Sequence, residues 1–259
     1  MKMVKGGINY LFKEEFKESE LNDIFQETSV NLTEEINIYV FGGAVMVFLK
    51  LKPSTKDIDI LFGTSKDYNI FILTIKQSEF ITSEIPLEYS NFNMSSMYKN
   101  LKTGWRLDLF LGKVCNKFSF SKEVQFRSKL KMEFNKLKVY FISLEDIFIM
   151  KALTNRERDL DDMNQILGFG LNFEIVNGEI NNQEDKFQII ERIIYFENQY
   201  NLKLNLSKKH RRDYNLFVNK ENFKLLKLQV QKMLNEDYSK KKVIEYFELS
   251  NSEQKRLNM

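Results

Sequence analysis

The chain has 259 residues and a net charge of +3; 43% are hydrophobic and 29% charged, with 23 Phe, 11 Tyr and 1 Trp against 10 Gly and 2 Pro. That length allows one or two domains with a sizeable core, and the composition excludes disordered, collagen-like and low-complexity classes. A single Cys and a single His exclude an internal disulfide and a zinc site of His and Cys ligands, and leave a His-dependent hydrolase only His210.

In chain order, apolar residues from Ile8 to Phe25 recur at helical spacing, predicting a helix over residues 8–30. Ile38–Phe41 reads as a buried strand ending at Gly42-Gly43, followed by a helix over AVMVFLKLK that Pro53 closes. Asp57–Phe62 is a second strand, and Ser65 caps a helix running to about Phe80. Residues 81–103 suggest strand pieces and a loop. WRLDLFLGKV and KLKVYFI are strands, and Ser143 opens the helix SLEDIFIMKALT with Asp146 in its capping position. RERDLDDMNQIL is a helix ended by Gly168, and everything after about Asn172 reads as helical. The expectation is an α+β protein of two domains, 1–145 mixed and 146–259 helical and basic toward its end.

No run is long and apolar enough to span a bilayer, since Ile36–Leu49 falls short of the roughly 20 residues required. The N-terminus turns acidic instead of forming an export signal, so a cytoplasmic protein with no membrane partner is expected. Residues 201–259 hold 14 Lys and Arg against 7 Asp and Glu, leaving residues 1–200 net acidic. This basic end points either to an anionic partner or to a solvated helical surface.

In Asp57-Ile58-Asp59-Ile60, alternation sends both carboxylates to one face. Asp108 likewise points away from Leu107 and Leu109. If the two strands pair, the three acids form an oxygen-ligand cluster suited to magnesium and to in-line attack on phosphorus. Gly42-Gly43, where a strand breaks into a helix, offers bare backbone N–H groups to a phosphate chain. The order of strand, Gly-Gly, helix and Asp-x-Asp is far more specific than either motif alone.

GGAVMVFLKLKPSTKDIDI resembles the signature of the DNA-polymerase-beta-like nucleotidyltransferases, in particular small prokaryotic and archaeal members that include type IV abortive-infection toxins. Their isolated Lys and Arg-Asp-x-x-Asp segment are matched by Lys151 and by Arg158-Asp159 with Asp162. The resemblance covers residues 36–167. It implies a small mixed nucleotidyltransferase-type sheet with flanking helices, magnesium on Asp57, Asp59 and Asp108, and an NTP held by Gly42, Gly43, Thr55, Lys56, Lys151, Arg158 and Asp159. Asp57, Asp59, Asp108 and Lys151 are the expected catalytic group. Pro53 stands where relatives carry an Arg, a role open to Lys52 or Lys56. RNA, such as tRNA, is one implied acceptor class, with protein and small-molecule acceptors as alternatives; a toxin or RNA-modifying role and a cognate antitoxin partner go with it. The rival is a non-catalytic RNA-binding or antitoxin-type protein that keeps the fold; retention of three like charges argues against it.

Lys151 interrupts an apolar stretch, so its charge either snorkels or meets an anion. Arg156 and Arg158 suit a triphosphate or Asp161 and Asp162 along their own helix. Around His210, Lys208, Lys209, Arg211 and Arg212 could contact RNA phosphates with Tyr214 and Phe217 stacking bases, or form a solvated charge run beside core aromatics. Cys115 reads as a small buried apolar residue.

Overall fold

Strand pairing across the middle of the chain arranges everything else. The computed structural model describes residues 18–87, 94–102, 104–154, 156–236 and 238–259. Helix α1 (Glu18–Val30) precedes β1 (Ile36–Phe41), α2 (Gly42–Phe48), β2 (Ile58–Phe62), α3 (Ser65–Gln77), β3 (Phe80–Ser83), β4 (Ser96–Asn100) and β5 (Arg106–Leu111). A hairpin of β6 (Lys113–Val114) and β7 (Phe118–Ser119) leads to α4 (Lys122–Arg127), β8 (Lys129–Phe134) and β9 (Leu137–Phe141). Helices α5 (Leu144–Thr154), α6 (Arg158–Phe169), α7 (Phe173–Asn182) and α8 (Lys186–Tyr200) follow, then α9 (Lys208–Asn235), α10 (Lys240–Tyr246) and α11 (Asn251–Arg256).

Seven strands form one mixed sheet in the order β3-β4-β5-β2-β1-β9-β8. The β2–β5 and β1–β9 pairs are parallel and the other neighbours antiparallel. Because side chains alternate, Ile36, Ile38, Val40, Ile58, Ile60, Leu107 and Leu109 share one face, all buried, which α2 and α3 cover. Full burial of such a side chain stabilises by about 1.5–3 kcal/mol. That face therefore locks the register, and the register decides what meets on the opposite face. The fold is α+β, as expected, with helices flanking a mixed sheet and a helical C-terminal region.

Several boundaries move for local reasons. Strand β1 begins two residues early because Ile36 pairs with Leu137. Helix α2 already includes Gly42 and Gly43, and it stops at Phe48 instead of running to Pro53, since Lys50 turns left-handed at φ 59°. The α3 cap is Thr64, whose side chain accepts from Asp67 N at 3.0 Å, and not Ser65. The α3 helix stops at Gln77 because Phe80 enters β3. Helix α6 runs past Gly168 to Phe169. Ser143 caps α5 as anticipated, accepting from Asp146 N at 3.2 Å. Of the predicted N-terminal helix, 18–30 is present and 8–17 lies outside the described residues.

The compact units are residues 1–205 and 206–259. The change from mixed to helical structure near residue 143 thus falls inside the first unit: α5 packs on α6, α7 and α8 there. A buried ion cluster adds to that unit, with Arg127 donating to Asp146 at 2.7 Å and to Glu179 at 2.5 Å. Breaking such a pair from one side typically costs 3–5 kcal/mol. In the second unit, Val230, Val243 and Leu249 centre a small core closed by Leu226, Met233, Ile244 and Phe247.

Candidate active site

The parallel register sets Asp59 directly opposite Asp108, and carried back one residue it sets Asp57 beside Arg106. All four side chains lie on the sheet face opposite Ile58, Ile60, Leu107 and Leu109. The Asp108 side chain is 2% exposed and that of Asp57 is 25% exposed. Nη2 of Arg106 donates to Oδ2 of Asp57 and, at 2.9 Å, to Oδ2 of Asp108. Oδ1 of Asp108 is buried with no hydrogen-bond partner among the described residues. Burial, with Asp57 and Asp108 adding repulsion, pushes the Asp59 carboxyl well above the usual carboxylate range. Burial and then Asp57 push Asp108 up to about 7, against the pull of Arg106.

Three carboxylates on one sheet face, one of them with a buried oxygen that lacks a partner, are the donor chemistry that a hard divalent cation takes. Among the described residues no three His, Cys, Asp or Glu side chains already surround one point at ligand distance, and Arg106 stands between two of the acids.

The glycine pair explains itself by what a side chain there would meet. A Cβ on Gly42, whose φ is +64°, would lie 2.3 Å from Asp59 Oδ2, and one on Gly43 would lie 2.4 Å from Thr55 Oγ1. Thr55 Oγ1 in turn donates to the Asp57 carbonyl at 3.1 Å. The pair therefore serves close approach, letting the acid strand and the Thr55 loop press against the start of α2. With only seven residues, α2 supplies less of an axial dipole than the longer helix expected from sequence.

Facing the acids is a wall of alternating charge from α5, α6 and the loop before β2. Lys151 Nζ sits 2.9 Å from Asp159 and 2.7 Å from Asp162, while Lys52 reaches Asp162 at 2.6 Å. Arg156 holds Asp159 at 2.6 Å, and Arg192 on α8 fixes that segment by donating to the Arg156 carbonyl at 2.8 Å. Lys151 thus meets anions and does not snorkel. Arg156 takes Asp159 in place of the Asp161 or Asp162 suggested by helical spacing, and Asp161 accepts from Tyr200 instead. Burial opposes both charged forms, yet pairing wins: Lys151 is raised, and Asp159 is lowered to about 2 by Lys151 and Arg156. Arg158 and Lys56 are exposed along the same cleft. Of the two candidates for the missing Arg, Lys52 is the one tied to Asp162.

The cleft between acids and wall measures about 410 Å³, within the range of small-ligand sites. Cys115 also lines it, almost wholly buried, with its thiol pushed up to about 12 chiefly by burial, which fits an unreactive apolar reading. Sequence reasoning did not assign Arg106 or the Lys52–Asp162 pair; the alternation of Arg106 with Asp108 was the available signal for the first. The predicted nucleic-acid residues belong to the second unit. Lys208, Lys209 and Arg212 are exposed in the first turns of α9, Arg211 is half-buried, and His210 is buried. Arg212 pairs with Asp213 at 3.1 Å.

Acids on a sheet face opposite a wall of alternating charge, with glycines where backbone and carboxylate touch, together line one cleft. Over residues 19–212 the chain matches the family described as nucleotidyltransferase of unknown function (DUF6036), and it belongs to that family. Among curated proteins, none matches the chain. No helix among the described residues is long and apolar enough to cross a membrane.

Proposed function

We propose that the protein transfers a nucleoside monophosphate from an NTP to an acceptor hydroxyl in a magnesium-dependent reaction that releases pyrophosphate. The observation that carries this reading is the β2–β5 register, with Asp59 opposite Asp108 and Asp57 one step away, beside the Gly42-Gly43 approach. Magnesium on Asp57, Asp59 and Asp108 would supply Lewis-acid stabilisation of the charge that develops on the phosphate oxygens. Gly42, Gly43 and Thr55 line the end of the cleft where a triphosphate meets the acids, and Lys56, Lys151 and Arg158 offer it positive charge.

Asp108 is suited to take the acceptor proton. Its Oδ1 is buried and without a hydrogen-bond partner, so it can take up the proton of a hydroxyl that enters the cleft. The acceptor oxygen then bonds to the α-phosphorus as the bond to the pyrophosphate oxygen breaks. Asp159, kept ionised by Lys151 and Arg156, acts as a positioning residue for those two cations.

For the acceptor we favour RNA, with a toxin or RNA-modifying role, in the cytoplasm where NTPs are available. Lys208, Lys209, Arg211 and Arg212 gather positive charge at the N-terminal end of a 28-residue helix that has no acid in its first turn. The macrodipole is already positive there, so phosphate contacts would relieve the repulsion. The test is incubation with each α-labelled NTP, magnesium and total cellular RNA, using wild type and Asp59→Asn. Transfer of label from an NTP by the wild type, abolished in a variant of unchanged melting temperature, is expected. Transfer by Asp59→Asn at the wild-type rate, or none by the wild type with any NTP, overturns the reading.

A further inference from the structure

Arg106 does more than balance charge on a strand. It lies two residues before Asp108 on β5 and so shares its face, while parallel β2 brings Asp57 alongside. One nitrogen, Nη2, donates to Oδ2 of both acids. A guanidinium cannot lose its charge by deprotonation, so a permanent cation is inserted between two of the three carboxylates suited to a metal. Three carboxylates and one guanidinium leave a formal −2, the charge that one divalent cation neutralises. The Arg106 side chain is 22% exposed whereas that of Asp108 is 2% exposed, so the arginine has a way out to solvent and the acid does not.

We propose that Arg106 is a built-in competitor of the divalent cation. It closes the Asp57–Asp108 pair in the metal-free protein and gives up those oxygens when the cation binds. This rests on the nucleotidyltransferase reading of the same acids. In the metal-free chain the arginine screens two neighbouring like charges from each other; in exchange it lowers affinity for the cation that replaces it. A merely orienting arginine, keeping both contacts beside a bound metal, would strengthen metal binding instead.

The two roles predict opposite signs. Mn²⁺ binding to the full chain is measured at pH 8 by the loss of the free-ion paramagnetic resonance signal, for wild type, Arg106→Met, Arg106→Lys and Asp59→Asn. Arg106→Met should bind Mn²⁺ at least tenfold more tightly than wild type, with Arg106→Lys between them. In EDTA, Arg106→Met should melt below wild type, and saturating Mn²⁺ should raise its melting temperature by more than that of wild type. Should Arg106→Met not fold, Arg106→Gln, which has a shorter stem and a neutral donor, carries the same comparison. Equal or weaker Mn²⁺ binding by the neutral variant, with wild type binding and Asp59→Asn not, overturns the competitor role alone. Absence of saturable Mn²⁺ binding in every form overturns it together with the metal-dependent reading.

Discussion

Replacing Gly42 with Ala tests the closest approach in the cleft. Gly42 has φ +64°, where an alanine costs about 1–2 kcal/mol relative to the right-handed region. The new Cβ would also stand 2.3 Å from Asp59 Oδ2, about 1 Å short of ordinary contact. Asp59 must move aside to relieve this contact. Driving it off its rotamer adds about 0.5–1.5 kcal/mol, for a total near 2–3 kcal/mol. Trp105, the one tryptophan, is buried next to Arg106 and reports unfolding of the sheet by fluorescence. At a slope of about 2–3 kcal/mol/M, the urea midpoint should fall by roughly 1 M in EDTA. Adding Asp59→Ala should recover the steric share, leaving the backbone cost, so the two substitutions should couple by about 1 kcal/mol. Labelled-NTP binding should be lost along with the displaced carboxylate. A Gly42→Ala protein with the wild-type urea midpoint and undiminished NTP affinity would refute the close-approach argument.

The raised Asp108 carboxyl, at about 7 against an ordinary 3.8, means that in EDTA the folded chain binds more protons than the unfolded chain between those values. Stability should therefore fall as pH rises from 5 to 8, and Asp108→Asn should flatten the trend; urea midpoints that climb with pH in wild type and variant alike would contradict it. Replacing Lys208, Lys209, Arg211 and Arg212 together with Ala should flatten the salt dependence of tRNA binding by up to about four units of log–log slope, leaving NTP affinity unchanged; equal slopes in filter binding would reduce the cluster to a solvated surface.

What could be read along the chain was whatever repeats locally. Asp57-Ile58-Asp59-Ile60 and Arg106-Leu107-Asp108-Leu109 announce a strand with a polar and an apolar face, and Ser143 three residues before Asp146 announces a helix start. Strand β8 went unread because it is an edge strand with little burial, so no alternation marks it. The bounds of the long α9 are not marked along the chain, since its apolar residues follow no single stripe and much of its length is exposed.

The order of residues sets which charged side chains exist, which of them share a strand face, and that Gly42-Gly43 precedes the acids by one helix. Their partners come from how distant segments pack. Lys52 meets Asp162 across 110 positions, and Arg106 meets Asp57 across 49. An ion pair depends on where two side chains end in space. Here that is set by the register of β2 on β5, and by α5 and α6 packing together, both fixed by apolar burial far from the charges it brings together.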